Sequence, residues 1–518
     1  MKKEQLTKEI LLEDIKVQAQ KYFNQYGSYD IPRDTYRRMS KYKQSFIKFF
    51  RNYIDFKVAA GLASPEVKRV RREEHNIVKK GKIGKARYVV SSIVEGAPYS
   101  QQFIDSIMTY CKRNNAKLIL LWSKGLSKKD GFDEEIYKDL EPYLTTQFKF
   151  NTKLSAIDFM LAPTQLLPLS GLSRFGAGDS SLIVASTKQH MESIPRPAGK
   201  IPHLLWSTGT VSLPRYNNTR TGALARQDNT LGALIVEIED EKRFYIRPVQ
   251  FVKDGFVDLG IKYFPNGTKA ISCEAAILGD LHIPEQDPIF TNAAIDQVNF
   301  LKSKSVFIHD LLSINSVNHH NLHEYLARAK MPFTSLEDEL KICKKLVKQY
   351  VDKISGKSKI YVVASNHDNA FIIKWLNNGD FIKDTENAKI GAEFFLKLLD
   401  NRNPIQEYLG IRRLHFLDSR KSKIVSGWEC GFHGHAGSNG AKGSLNNFAK
   451  TFEHVVVAHS HSPGIRRGAV QVGTQSKLDL PYLKGGTTSW LPANCFIYED
   501  GSMQLVTYID NKWRLQWD

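Results

Sequence analysis

Apolar residues recur at three- and four-residue steps at the start of the chain: Leu6, Ile10, Leu11, Ile15 and Ala19. That is the period of one helix face, and it predicts a first helix. Gly27-Ser28-Tyr29-Asp30 then reads as a turn, and Pro32 suits the first turn of a second helix through Thr35-Tyr36-Arg37-Arg38-Met39. A third helix is expected from about Ser45 to Ala60, stopping at Gly61. Residues 101–114 continue in helical period. Lys117-Leu118-Ile119-Leu120-Leu121-Trp122 is a short buried-strand pattern, and Leu182-Ile183-Val184-Ala185 and Leu234-Ile235-Val236-Glu237 are two more. That order predicts α/β layers. Leu205-Trp206-Ser207-Thr208-Gly209-Thr210, with Arg215 and Arg220 nearby, reads either as a structural turn or as a phosphate contact. From residue 270 onward the apolar strands repeatedly end in polar clusters of Asp, Asn or His. These shifts divide the chain into a helical module (1–62), a basic linker (63–90), a mixed α/β middle region (91–269) and a C-terminal domain (270–518).

Charge adds one point to this division. The 518 residues carry a net charge of +19. Residues 1–90 hold 22 Lys and Arg against 10 Asp and Glu, a net of +12. A basic block on a nearly balanced body suggests a module for a polyanion, with nucleic acid first and an anionic membrane surface second; a solvated basic face is the plain alternative. Three short helices, the later two rich in basic and aromatic residues, are compatible with a helix-turn-helix-like DNA reader or with simple helical packing. Composition, 42% hydrophobic and 25% charged, is that of a globular chain with a sizeable core. The five cysteines (111, 273, 343, 430 and 495) are scattered and form no Cys-x-x-Cys pair, against a disulfide framework or zinc ribbon. The N-terminus lacks an apolar signal core, and no run approaches the roughly 18–20 apolar residues of a membrane span. The expectation is a cytoplasmic protein with no membrane association.

Five clusters occur in order along the last half. Ala275-Ala276-Ile277-Leu278 runs into Gly279-Asp280-Leu281-His282, and Val306-Phe307-Ile308 into His309-Asp310. Ile360-Tyr361-Val362-Val363-Ala364 runs into Ser365-Asn366-His367-Asp368. Gly431-Phe432-His433-Gly434-His435 follows, and Val455-Val456-Val457-Ala458 runs into His459-Ser460-His461. Ligands at the ends of neighbouring strands converge on one sheet edge. Carboxylate and amide oxygens with imidazole nitrogens make a mixed site for a divalent metal such as Mn²⁺, Fe²⁺ or Zn²⁺. The absence of Cys argues against a closed structural zinc site. Any one cluster is more often structural than catalytic; five in one order are not.

The order Asp-x-His, Asp, Asn-His-Asp, His, His-x-His resembles the calcineurin-like metallophosphoesterase superfamily over about residues 270–510. The resemblance implies an αββα fold, a β-sandwich flanked by helices, within an α+β or α/β chain. It implies two divalent ions, Mn²⁺ foremost with Fe²⁺, Zn²⁺ or Mg²⁺ as alternatives. Asp280, His282 and His461 would hold one ion, Asn366, His433 and His459 the other, with Asp310 bridging. His367 would serve as general acid or transition-state stabiliser. Ser365 and Ala458 stand where the family has Gly, and His309-Asp310-Leu311-Leu312-Ser313 departs from the usual Gly-Asp-x-x-(Asp/Asn). His433 is favoured over His435 as ligand; His435 would then face substrate. The glycine-rich loop 437–443 with Lys442 either approaches a phosphate or is a plain surface turn. His319 and His320 either line the site or begin a helix.

Two further resemblances bear on substrate. Residues 18–62 are similar to small repeats found beside homing endonucleases, ending here in Phe56-Lys57-Val58-Ala59-Ala60-Gly61-Leu62. The whole layout, with His-Asp-Leu-Leu at 309–312 and Val-Asn-His-His at 317–320, resembles the pre-early host-DNA-degradation proteins of T-odd lytic siphophages. That implies an Mn²⁺-dependent deoxyribonuclease acting on DNA, with RNA as an alternative, in the host bacterial cytoplasm. A phosphomonoesterase or phosphoprotein phosphatase on the same scaffold, and a non-catalytic nucleic-acid-binding scaffold, are the competing expectations. A homo-oligomer is compatible with each.

Overall fold

The structure, a computed structural model, describes residues 6–26, 29–62, 69–82, 84–176, 180–318, 325–480, 483 and 485–516. The chain folds as two compact units, Met1–Val70 with Gly131–Glu141, and Arg71–Asp130 with Pro142–Asp518.

In the first unit the helix Lys8–Tyr26 buries Leu11, Ile15 and Ala19, the expected stripe, against Ile31, Tyr36, Phe46, Tyr53 and Phe56. The second helix is Arg33–Met39, with Pro32 immediately before it. The expected third helix is two pieces, a 3₁₀ turn at Ser45–Lys48 and a helix at Tyr53–Ala59. Asn52 explains the break: its side chain accepts the Asp55 N–H at 2.8 Å, starting a new helix where the periodicity alone ran on. Gly61, at φ +72°, ends it. The turn expected at Gly27 and Ser28 lies outside the described residues. Arg69–Val70 pairs antiparallel with Phe132–Asp133, which leads into the helix Glu134–Leu140.

The second unit carries sheets of five, eleven and six strands among its described residues. In the six-stranded sheet the strands Cys273–Ile277, Ser305–Ile308, Lys359–Val362 and Leu414–Phe416 lie parallel in that order, and Ala493–Tyr498 and Met503–Thr507 extend it antiparallel. Alternate residues serve opposite faces, as a pleat requires. Ala276, Val306, Ile308, Ile360 and Val362 pack beneath helices that include Pro288–Leu301 and Leu336–Lys353. Ala275, Ile277 and Phe307 instead meet Trp428, Val456 and Val470 of the eleven-stranded sheet. On that sheet's far side, Val455, Val457 and Ala469 pack with Phe448 of the helix Leu445–Thr451. The layering is helix, sheet, sheet, helix.

Structured pairings involve residues around two of the expected boundaries. Strand Met191–Ile194 pairs antiparallel with Gly464–Arg466, so the middle region and the C-terminal region share one sheet across residue 270. Pairing covers a strand edge that a free-standing C-terminal domain would expose. The linker is also largely structured. Residues 63–68 lie outside the described residues, but Arg72 is buried and donates to the Trp122 carbonyl and to Asp158. Val78–Lys80 is a strand paired with Gln147–Lys149. The middle elements fall close to expectation: helix Gln101–Asn114 and strands Ala116–Ser123, Ser181–Val184 and Gly232–Ile238. Residues 205–210 are buried, and Arg215 pairs with Asp130. Leu205, Trp206 and Ser207 end the strand His203–Ser207, and Gly209 and Thr210 bridge to Ser186 and Ser92.

Candidate metal centre

Parallel strands place whatever follows them at one sheet edge. Asp280 and His282 follow Cys273–Ile277, Asp310 follows Ser305–Ile308, and Asn366 and His367 follow Lys359–Val362. His433 comes just after Trp428–Glu429, and His459 and His461 just after Val455–Val457, on the facing sheet. Backbone hydrogen bonds lock these loops together: His282 N–H to Asp310 O at 2.7 Å, Asp280 N–H to Gly473 O at 3.1 Å, and Ala458 N–H to His433 O at 2.7 Å.

One donor group is Asp280, His282, Asp310 and His461; a second is Asp310, His433 and His459. Within each, the donor atoms lie within 4.8 Å of one another, and Asp310 belongs to both. His282 Nε2 is 2.9 Å from His461 Nε2 and 3.5 Å from Asp310 Oδ2. His461 Nε2 is 3.3 Å from Asp280 Oδ2. His433 Nε2 is 3.3 Å from Asp310 Oδ2 without hydrogen-bonding to it. Asn366 begins a single wide helical turn, Asn366–Ala370.

Polar atoms in this pocket lack partners. Both Asp280 oxygens, Asp310 Oδ1, Asn366 Oδ1, His433 Nε2 and His461 Nδ1 are out of solvent with no hydrogen bond among the described residues. Buried polar atoms are ordinarily satisfied, so converging lone pairs with no donor fit a cation. Two carboxylates, an amide oxygen and imidazoles suit a borderline divalent ion. Burial and then the Asp310 carboxylate hold Asp280 well above the usual carboxylate range. For Asp310, burial pushes upward but is outweighed by His433 and His367, which hold it well below. Burial holds His282 well below the usual imidazole range and takes His461 down to about 3 and His459 to about 4. Neutral imidazole is the form that ligates.

The backbone here is strained. His282, Asp310, His459 and His461 all have positive φ, at +52°, +40°, +75° and +60°. Such conformations cost free energy in non-glycine residues and gather at functional sites. Gly434, between His433 and His435, sits at φ +110°, and a Cβ there would lie 3.1 Å from the Ala458 carbonyl oxygen. Gly434→Ala is therefore expected to destabilise the fold by about 1–3 kcal/mol, seen as a lowered melting temperature.

His367 Nδ1 is 2.9 Å from the Ser313 carbonyl. A carbonyl only accepts, so Nδ1 carries the hydrogen and Nε2 is left to exchange a proton. Its ring is 4.5 Å from that of His282. The His435 ring is 5.5 Å from His433 and 6.1 Å from His459, and its Nδ1 is buried without a partner. Lys442 is exposed on a loop whose backbone bridges back to Ala436. His319 and His320 lie outside the described residues.

Two residues here had no role assigned from sequence. Asp368 accepts the N–H groups of Leu311 (2.9 Å) and Leu312 (2.8 Å), fixing the loop beyond Asp310. Burial and then Asp310 push its carboxyl up to about 7. His309 is fully buried beside His433. A sequence signal for it exists: an imidazole directly precedes Asp310 at the end of a strand. All five cysteines are free, buried and outside both donor groups.

No known family profile matches the chain. It is similar to Protein A1 of Escherichia phage T5, with 26% identity over 498 residues, covering 88% of this chain and 85% of the phage protein. No helix among the described residues is long and apolar enough to cross a membrane. The protein thus combines a buried His and Asp cluster suited to divalent metal with a likeness, along most of its length, to a phage protein.

Proposed function

We propose that the chain is a metal-dependent phosphodiesterase that cuts DNA through a dinuclear site, in the calcineurin-like manner, in the cytoplasm of an infected bacterium. The observation that carries the metal chemistry is the pair of donor groups joined at Asp310, with their unpaired buried oxygens. Two divalent ions, Mn²⁺ foremost, would be held by Asp280, His282 and His461 and by Asn366, His433 and His459, with Asp310 shared. When bound, such ions supply Lewis-acid activation of a phosphoryl oxygen and of the attacking water. His367, anchored through Nδ1–H on Ser313, is suited to give a proton from Nε2 to the departing sugar oxygen. His435, whose ring lies 5.5 Å from that of His433, and Lys442, exposed on the loop that follows, are the proposed substrate contacts.

Charge supports a nucleic-acid substrate. A groove of about 540 Å³ is lined by Lys79, Lys80, Lys82 and Lys117 and by no carboxylate. The basic helical unit offers further phosphate contacts. Replacing Lys80, Lys82 and Lys117 together by Ala is expected to lower the slope of log K against log salt for duplex DNA by roughly 2–3. Hydrolysis of bis-p-nitrophenyl phosphate, too small to span the groove, should be unchanged.

The function itself is tested by incubating closed circular and linear duplex DNA with the protein and Mn²⁺, beside an EDTA control. Loss of both forms, prevented by EDTA, is expected. Turnover of p-nitrophenyl phosphate but of neither DNA form would instead mark a phosphomonoesterase.

A further inference from the structure

Beside His433 stands an imidazole that the proposed chemistry does not use. His309 is fully buried, its ring inclined 29° to that of His433 with centroids 5.5 Å apart. The two Nδ1 atoms are 3.4 Å apart. Facing ring nitrogens at that distance bond only if one carries hydrogen and the other a lone pair. The other nitrogen of His433, Nε2, is the one beside Asp310. An imidazole offering Nε2 to a metal carries its hydrogen on Nδ1. Asp280 Oδ1, 3.8 Å from that Nδ1, is too far to accept it. His309 Nδ1 is in range.

We infer that His309 is a positioning residue: its Nδ1 accepts the His433 Nδ1–H and fixes the tautomer and ring plane that present His433 Nε2 to a metal ion. This rests on the dinuclear reading above. His309 itself is held by the sheet, since it directly follows the strand Ser305–Ile308 and its carbonyl accepts the Leu281 N–H at 3.0 Å. Its hydrogen then falls on Nε2, a buried atom with no partner. An apolar side chain would fill the space without that unsatisfied group, so packing alone does not account for an imidazole here. Outer hydrogen-bond partners of ligating histidines set ring orientation and ligand basicity.

The test is Mn²⁺ binding to the metal-stripped full chain by calorimetry, comparing wild type with His309→Asn and His309→Leu. Asn can place an oxygen acceptor near the position of the His309 Nδ1, whereas Leu fills comparable volume and accepts nothing. Wild type is expected to bind two Mn²⁺. The Leu variant should lose about 10–100-fold at one site only, while the Asn variant stays within about threefold at both. Unchanged binding by the Leu variant, or equal losses in both variants, would overturn the inference and leave the dinuclear site standing. A wild type that binds no Mn²⁺ overturns both. If the Leu variant does not fold, the folded Asn variant decides: retained affinity supports the role, and a 10-fold loss or more at one site overturns it.

Discussion

Asp310→Asn is expected to lower phosphodiester cleavage by roughly a thousandfold or more, with DNA binding intact. Asp310 alone belongs to both donor groups, and it is fully buried. Asn preserves its shape and accepts the same left-handed backbone, φ +40°, so the loop should keep its path. The charge is what disappears. Metal-assisted charge stabilisation is worth several kcal/mol, and at 1.36 kcal/mol per decade three decades correspond to about 4 kcal/mol. The lysine groove is separate from the substitution, so affinity for duplex DNA in EDTA should match wild type. A variant that cleaves at the normal rate would remove Asp310 from the site.

The largest stability effect is expected at Arg247. Its guanidinium is fully buried and holds Asp258 with two hydrogen bonds, 2.9 and 3.1 Å, and Glu237 with a third at 2.7 Å. Removing one partner of a buried ion pair typically costs 3–5 kcal/mol; Arg247→Met takes the guanidinium from Asp258 and leaves Glu237 with Arg87. The loss depends on pH in a definite direction. Burial opposes ionisation of Glu237 but is outweighed by Arg247 and Arg87, which hold its carboxyl down at about 2, below the usual carboxylate range. A carboxyl lowered by folding contributes its stability above its unfolded pKa and loses it as pH falls through the folded one. The gap between wild type and variant should therefore be full above about pH 4.5 and close progressively toward pH 2. Urea unfolding of the metal-stripped proteins at pH 7, 4 and 3 measures it. A gap below about 1 kcal/mol at pH 7, or one that widens in acid, would contradict the network's role.

The loops that carry the buried His and Asp cluster are legible in the sequence because apolar strands ending in Asp, Asn and His are local signals. Each expected cluster at Asp280, Asp310, Asn366, His433 and His459 does lie just beyond a strand, or in the loop that follows one. The pattern did not reveal that strand Met191–Ile194 joins Gly464–Arg466. That pairing spans some 270 positions and leaves no local trace. The break at Asn52 is a capping event that competes with helical periodicity. His309 was read as a departure from a motif, and its value lies in a ring stacked against a residue 124 positions away. The positive φ angles at His282, Asp310, His459 and His461 are likewise beyond the reach of a local pattern.

The most direct test of the dinuclear site is a crystal structure of the full chain grown with Mn²⁺, with anomalous difference density collected at the manganese edge. Two peaks about 3.5–4 Å apart are expected, one against Asp280, His282 and His461, the other against Asn366, His433 and His459, with Asp310 touching both. A single peak, or none within reach of Asp310, would contradict the account.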